Sequence, residues 1–263
     1  MENFDPSATS YDPRNALWLG KAAALAYQDA ASVKQALQGF NVTPLANPAT
    51  DTEGFVAGNA EMIVISFRGS KDVRNWLTNL DAVLEKGPVG EVHKGFYDAI
   101  SSVWGDLVRT VQGLRQNGQP LWITGHSLGA ALATLAAAKL LEDNEVGSIN
   151  GLYTFGQPRT GNPAFAGWFD GLMKARMFRF VNNSDIVPHV PLPPFYRHAG
   201  TFLHFDSAGK ISAHEEFWVQ LKGDLEEEAK SLFNDKFIPD NIEDHFMENY
   251  LSCLERNVSV DPF

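Results

Sequence analysis

One pentapeptide restricts this chain more than any other feature: Gly125-His126-Ser127-Leu128-Gly129, set between two apolar runs. Leu121, Trp122, Ile123 and Thr124 before it read as a strand, and the alanine- and leucine-rich run from Ala130 to Leu141 reads as a helix. A serine at the tip of a sharp strand-to-helix turn adopts a strained backbone, and side chains two residues to either side would collide with neighbouring backbone. Glycine at 125 and 129 removes them. The bend also turns the Leu128 N–H and the positive end of the helix towards any negative charge that develops beside the serine. G-x-S-x-G arises often by chance, so its flanks carry the weight; the competing reading is a glycine-rich turn in which Ser127 merely caps the helix.

The surrounding sequence repeats the strand–helix alternation. Met62 to Phe67 is apolar on both faces and ends at Arg68-Gly69-Ser70, as a buried parallel strand would. Gly151 to Phe155 and Arg176 to Val181 are further short strands, each followed by a polar turn, and a last strand is expected around Thr201 to Ile211. Residues 14 to 29 and the segment from Tyr97 to Leu114 read as helices, as does an acidic stretch from about 214 to 233 that contains Glu226-Glu227-Glu228. Such alternation predicts an α/β fold: a central, mostly parallel sheet flanked by helices. No repeat, low-complexity segment or long polar linker interrupts the 263 residues, so the expectation is a single domain over 1–263.

The formal net charge of -11 opposes nucleic acid or an anionic membrane as an electrostatically held partner, since both call for a basic surface. A neutral substrate fits better. The single cysteine, Cys253, cannot form an internal disulfide and reads as a buried small apolar residue. No Cys/His cluster is spaced for zinc, and neither a metal nor an organic cofactor is expected. Met1-Glu2-Asn3-Phe4 does not open a signal peptide, and no run is long and apolar enough for a transmembrane segment. Cytoplasmic residence and signal-independent export both remain open.

A serine hydroxyl becomes a useful nucleophile when a histidine takes its proton and a carboxylate orients that histidine. In the strand–G-x-S-x-G–helix context the chain order is serine, acid, histidine. Asp185 follows the strand ending at Val181, at the sheet edge where reactive groups gather, and is preferred over Asp170 and Asp206. Order removes His93 and His126 as bases. His189, His198 and His204 precede or lie within the last strand and His214 begins the acidic helix, which leaves His245, after Pro239.

Several blocks, in order across roughly residues 60 to 200, resemble the class 3 lipase family, whose best-known members are fungal secreted triacylglycerol lipases. They are Ile65-Ser66-Phe67-Arg68-Gly69-Ser70, Val73-Arg74-Asn75-Trp76-Leu77, Val92-His93-Lys94-Gly95-Phe96, the stretch from Gly125 to Ala133, Thr154-Phe155-Gly156-Gln157-Pro158-Arg159, and Asn183-Ser184-Asp185-Ile186-Val187-Pro188-His189. The resemblance implies an α/β-hydrolase fold and a triad of Ser127, Asp185 and His245, with Ser70 and Leu128 supplying the oxyanion-hole N–H groups. Val73, Trp76, Leu77 and Leu80 fall at i, i+3, i+4 and i+7, so residues 72 to 80 form a short amphipathic helix. By the resemblance this helix is a lid that swings aside at a lipid surface; by periodicity alone it is equally a core helix.

The resemblance implies a carboxylic ester hydrolase, a triacylglycerol lipase before an esterase or phospholipase, acting on a lipid or other ester at a lipid–water interface. Ala130 stands where the fungal lipases often have glycine, a change shared with members that act on other esters. A non-catalytic member that binds lipid or a protein partner is the alternative from another class.

Overall fold

Runs that are apolar at every position must be covered on both faces. The computed structural model, which describes residues 3–144, 146–213 and 240–263 together with 223, 227, 229 and 230, puts them at the centre of a sheet. In chain order the elements are α1 (Pro13–Leu25), α2 (Ala30–Ala36), β1 (Asn41–Asn47), β2 (Thr52–Gly58), β3 (Ile63–Phe67), α3 (Val73–Asn79), β4 (Leu84–Lys86) and β5 (Glu91–His93). Then follow α4 (Lys94–Ser101), α5 (Trp104–Leu114), β6 (Leu121–His126), α6 (Leu128–Asp143), β7 (Gly151–Phe155), α7 (Pro163–Met173) and β8 (Met177–Asn182). The chain closes with β9 (Thr201–Phe205), β10 (Ile211–Ser212), a 3-10 turn (Asp240–His245) and α8 (Met247–Arg256).

Among the described residues one eight-stranded sheet runs in the order β1-β2-β3-β6-β7-β8-β9-β10, and β4 and β5 pair separately. From β3 through β9 neighbours in that order are parallel; β1, β2 and β10 join antiparallel at the edges. Alternate side chains of each strand enter different cores. Ile63, Ile65, Phe67, Leu121 and Ile123 pack with α4, α5, α6 and α7 on one face. Val64, Trp122, Tyr153, Phe155, Phe178 and Phe180 pack with α1 and α8 on the other. This is the α/β-hydrolase arrangement, a mostly parallel sheet between helical layers.

Two expected elements divide. The helix expected from Tyr97 to Leu114 is α4 and α5, broken at Ser102-Val103, although no glycine or proline marks the place. The Ser102 hydroxyl donates to the Ala99 carbonyl at 2.7 Å and so ends α4 from within, while Val103 turns into the core. The last strand is a hairpin, β9 and β10, because Asp206 accepts from the Ala208 and Lys210 amides and Gly209 takes φ 74°. The acidic helix expected from about 214 to 233, His214 included, lies largely outside the described residues.

α6 can lie close to the sheet because its first turn carries no side chain at 129, where a Cβ would meet the Phe67 carbonyl and stand 2.7 Å from the Arg68 carbonyl carbon. Gly129→Ala is therefore expected to destabilise the protein by about 3 kcal/mol, the upper range for overpacking. A urea midpoint unchanged from wild type would contradict that close approach.

Candidate active site

β6 delivers Ser127 to the sheet's C-terminal edge, and α6 starts one residue later. Ser127 has φ 59° and ψ -132°, a conformation that L-residues seldom adopt and that costs on the order of 1–3 kcal/mol. Its amide donates to the Phe155 carbonyl at 2.9 Å, which holds the bend against β7. A Cβ at 125 would strike the Gly129 carbonyl group, so both glycines of the pentapeptide serve the steric role read from sequence. A Cβ at 69 would stand 2.9 Å from the Ser127 Cβ, so Ser70 lies just past the point where the chain leaving β3 abuts the serine. Leu128 is the first residue of α6, where amide hydrogens have no partner within the helix.

On the far side of the serine, a turn after β8 carries Asp185 and the 3-10 turn carries His245; both side chains are fully buried. His245 Nδ1 lies 2.8 Å from Asp185 Oδ2 and 3.0 Å from Oδ1. The Tyr250 hydroxyl donates to Oδ2 at 2.6 Å and the Val187 amide to Oδ1 at 2.9 Å. Burial works to raise the Asp185 pKa, but the His245 imidazole and the donated hydrogen bonds outweigh it and hold the carboxyl below its ordinary value. Burial also lifts the Tyr250 phenol well above its ordinary range, so it remains a donor.

With Nδ1–H committed to the carboxylate, His245 Nε2 presents a lone pair. Among the described residues that atom has no hydrogen-bond partner, and neither does the buried Ser127 Oγ. The His245 ring rests on Gly156, where φ is 57° and a Cβ would stand 2.7 Å from Cε1 and 2.9 Å from Asp185 Oδ2. The carboxylate and the ring thus meet at the end of β7, whose Phe155 carbonyl holds the Ser127 amide.

The residues passed over have structural occupations. Asp170 accepts from the Gly200 amide at 2.7 Å, and Asp206 closes the β9–β10 hairpin. His198 contacts the Pro188 carbonyl at 2.7 Å and is held far below its ordinary pKa by burial. His204 contacts the Asn183 carbonyl at 3.1 Å, and the Arg159 guanidinium donates to the His189 carbonyl. No group of three or more His, Cys, Asp or Glu among the described residues is arranged to hold a metal.

The chain matches the profile of the family described as Lipase (class 3) over residues 64–195, half its length. It belongs to the class 3 lipase family. The lipase of Rhizomucor miehei is 41% identical over 180 residues, covering 64% of this chain and 45% of that protein. Secreted mono- and diacylglycerol lipase 1 of Fusarium solani is 40% identical over 147 residues, covering 52% and 41%. The chain thus spans less than half the length of these two relatives. A solved triacylglycerol lipase, described as having a catalytic centre formed by a serine protease triad, superposes with a TM-score of 0.70 at 30% identity. That match covers 88% of this chain and 92% of the other.

The segment that the class 3 lipase resemblance marks as a lid is α3. Its Leu77 packs on Val181, Ile186 and Val187, with Val73, Trp76 and Leu80 half-buried beside it. Asp72, Arg74, Asn75 and Asn79 face solvent. A cleft of about 380 Å³ runs between α3 and α4 and is lined by apolar Trp76, Leu80, Val83, Phe96 and Leu128 together with polar Asn79, Asp81, His93, Lys94 and Asp98.

Tyr250 was absent from the sequence reading; a tyrosine on an amphipathic helix gives no local sign that its hydroxyl reaches a carboxylate. Since the folded Asp185 pKa lies below its ordinary 3.8, the stability it contributes is present above that value and is lost as pH falls through the lowered one. Tyr250→Phe is expected to cost about 2 kcal/mol at pH 7, the value of a hydrogen bond to a charged group, and less as pH drops below 3.8. Urea denaturation across that range checks this; a deficit independent of pH would contradict it.

Proposed function

We propose that the protein hydrolyses carboxylic esters of lipids, acylglycerols first, through Ser127, His245 and Asp185. The observation that carries this reading is the pair of buried, unpartnered atoms, Ser127 Oγ and His245 Nε2, behind which a carboxylate grips the same imidazole. Leaving two polar atoms buried and unsatisfied costs stability, and a reacting ester together with the proton in transit would occupy both. The names of the relatives support an acylglycerol substrate.

In the acylation step, the Ser127 hydroxyl proton passes to His245 Nε2 while Oγ bonds the ester carbonyl carbon. The carbonyl electron pair moves onto oxygen, where the Ser70 and Leu128 N–H groups stabilise it. As that pair returns, the alcohol–carbon bond breaks and the alcohol leaves with the proton from His245. Water then enters, gives a proton to His245 and bonds the acyl carbon; as the acyl–Oγ bond breaks the acid leaves, and His245 returns the proton to Ser127 Oγ. Asp185 stays ionised throughout and holds the ring through Nδ1. The cleft beside Leu128 offers Trp76, Leu80, Val83 and Phe96 to an acyl chain, among polar neighbours that include Asp81, Lys94 and Asp98.

In this reading α3 is a lid in its closed position. Its apolar side rests on Val181, Ile186 and Val187 and can move onto a lipid surface with little net change in buried apolar area. The acidic net charge suits a neutral interface better than an anionic one.

Ser127→Ala is expected to lower hydrolysis of p-nitrophenyl butyrate by about 10⁴-fold or more and to abolish fluorophosphonate labelling. Retained hydrolysis would remove the mechanism, and an unlabelled wild-type chain would point instead to a binding role. The wild-type rate on tributyrin is expected to jump as substrate passes from solution to emulsion. A smooth saturation curve through that point would deny the lid.

A further inference from the structure

Between the flanking glycine and the serine of the pentapeptide stands His126, which is buried yet takes no part in the steps above. Both of its ring nitrogens are engaged. Nε2 lies 2.7 Å from the His245 backbone carbonyl, and Nδ1 lies 2.8 Å from the Tyr27 hydroxyl. The direction of these bonds follows from elementary constraints. A carbonyl can only accept, so Nε2 carries the hydrogen. Burial, and then the neighbouring His245, push the His126 pKa down to about 3, so the ring is neutral and Nδ1 is a bare acceptor. Tyr27 must therefore donate to it. The Tyr27 hydroxyl in turn packs against Gly69, where a Cβ would strike it.

The result is a one-way chain of hydrogen bonds from Tyr27, seated against Gly69, through His126 to the carbonyl of His245. It starts in contact with the residue before Ser70 and ends on the residue that carries the imidazole. It also fills a steric gap, since a Cβ at 69 would collide with the Tyr27 hydroxyl, the His126 carbonyl and the Ser127 Cβ. The His126 and His245 rings lie against one another, with centroids 4.6 Å apart. The carbonyl at the end of the 3-10 turn needs a donor, but a turn amide or a serine could supply one. A neutral imidazole reaching two partners on different segments does more: it fixes a distance between them.

We propose that Tyr27 and His126 are positioning residues, a hydrogen-bonded strut that sets the spacing between the strand end bearing Ser70 and the imidazole of His245. This rests on the roles given to Ser127 and His245 above. Because the strut never touches substrate, its loss should act on turnover and leave ground-state binding alone.

The experiment is steady-state hydrolysis of p-nitrophenyl butyrate, with fluorophosphonate labelling rates and melting temperatures, for Tyr27→Phe, His126→Ala, His126→Gln and the Tyr27→Phe/His126→Ala double variant. Tyr27→Phe should lower kcat about 10-fold and His126→Ala about 100-fold, with KM within about two-fold of wild type, as for small misplacements of a reacting group. His126→Gln, whose amide can still donate to the His245 carbonyl, should recover most of the loss. The double variant should be no slower than His126→Ala, because both changes break one chain. A folded Tyr27→Phe with wild-type kcat, losses that multiply in the double variant, or an effect confined to KM would overturn the strut. If His126→Ala does not fold, Tyr27→Phe and His126→Gln decide the matter. Hydrolysis and labelling that survive Ser127→Ala would instead remove the reading of the site on which the strut rests.

Discussion

Everything at the site depends on how closely α6 approaches the end of β3. Contact at that distance is possible only without side chains at 125 and 129, and it forces Ser127 into backbone geometry that a serine would otherwise avoid. The strain persists because the surrounding packing over-determines it. α6 is buried on nearly every side, with each residue from Gly129 to Ala138 shielded from solvent. Relaxing the bend would pull that helix out of the core.

The other half of the site follows a different physical logic, that of a buried charge. A carboxylate with no exposure is tolerable only when its lone pairs are used, and Asp185 receives hydrogen bonds from Val187, Tyr250 and His245. The turns that bear it and His245 are clipped together: Asn182 Nδ2 donates to the Asp244 carbonyl, and Asn183 Nδ2 and the Ser184 amide donate to the Asp244 carboxylate. Steric fit places the serine, whereas electrostatics places the imidazole.

That difference decides what could be read from the sequence. The parallel strands β3, β6, β7, β8 and β9 and the Ser127 turn were legible because each is a local pattern, an apolar run or two glycines at fixed offsets from a serine; the edge strands β1 and β2, with their mixed exposure, were not read. Asp185 and His245 could be selected by chain order, since a turn after a strand marks itself by composition. The break at Ser102-Val103 was hidden, because serine ends a helix there by a side-chain hydrogen bond and not by any breaker residue. Tyr27 and Tyr250 were hidden for a stronger reason. Each acts through one hydroxyl on a residue far away in the chain, and periodicity reports only which face of a helix is apolar.

The order of these parts along the chain has a consequence for how the site is completed. β6, Ser127 and α6 complete their packing in the middle of the chain, while His245 and Tyr250 arrive with the 3-10 turn and α8 near the C-terminal end of the described residues. A chain that stops short of residue 240 carries the Ser127 turn without the imidazole that faces it. The Asp185–His245 pair and the tyrosine that donates to it are therefore brought together only when α8 lies on α1.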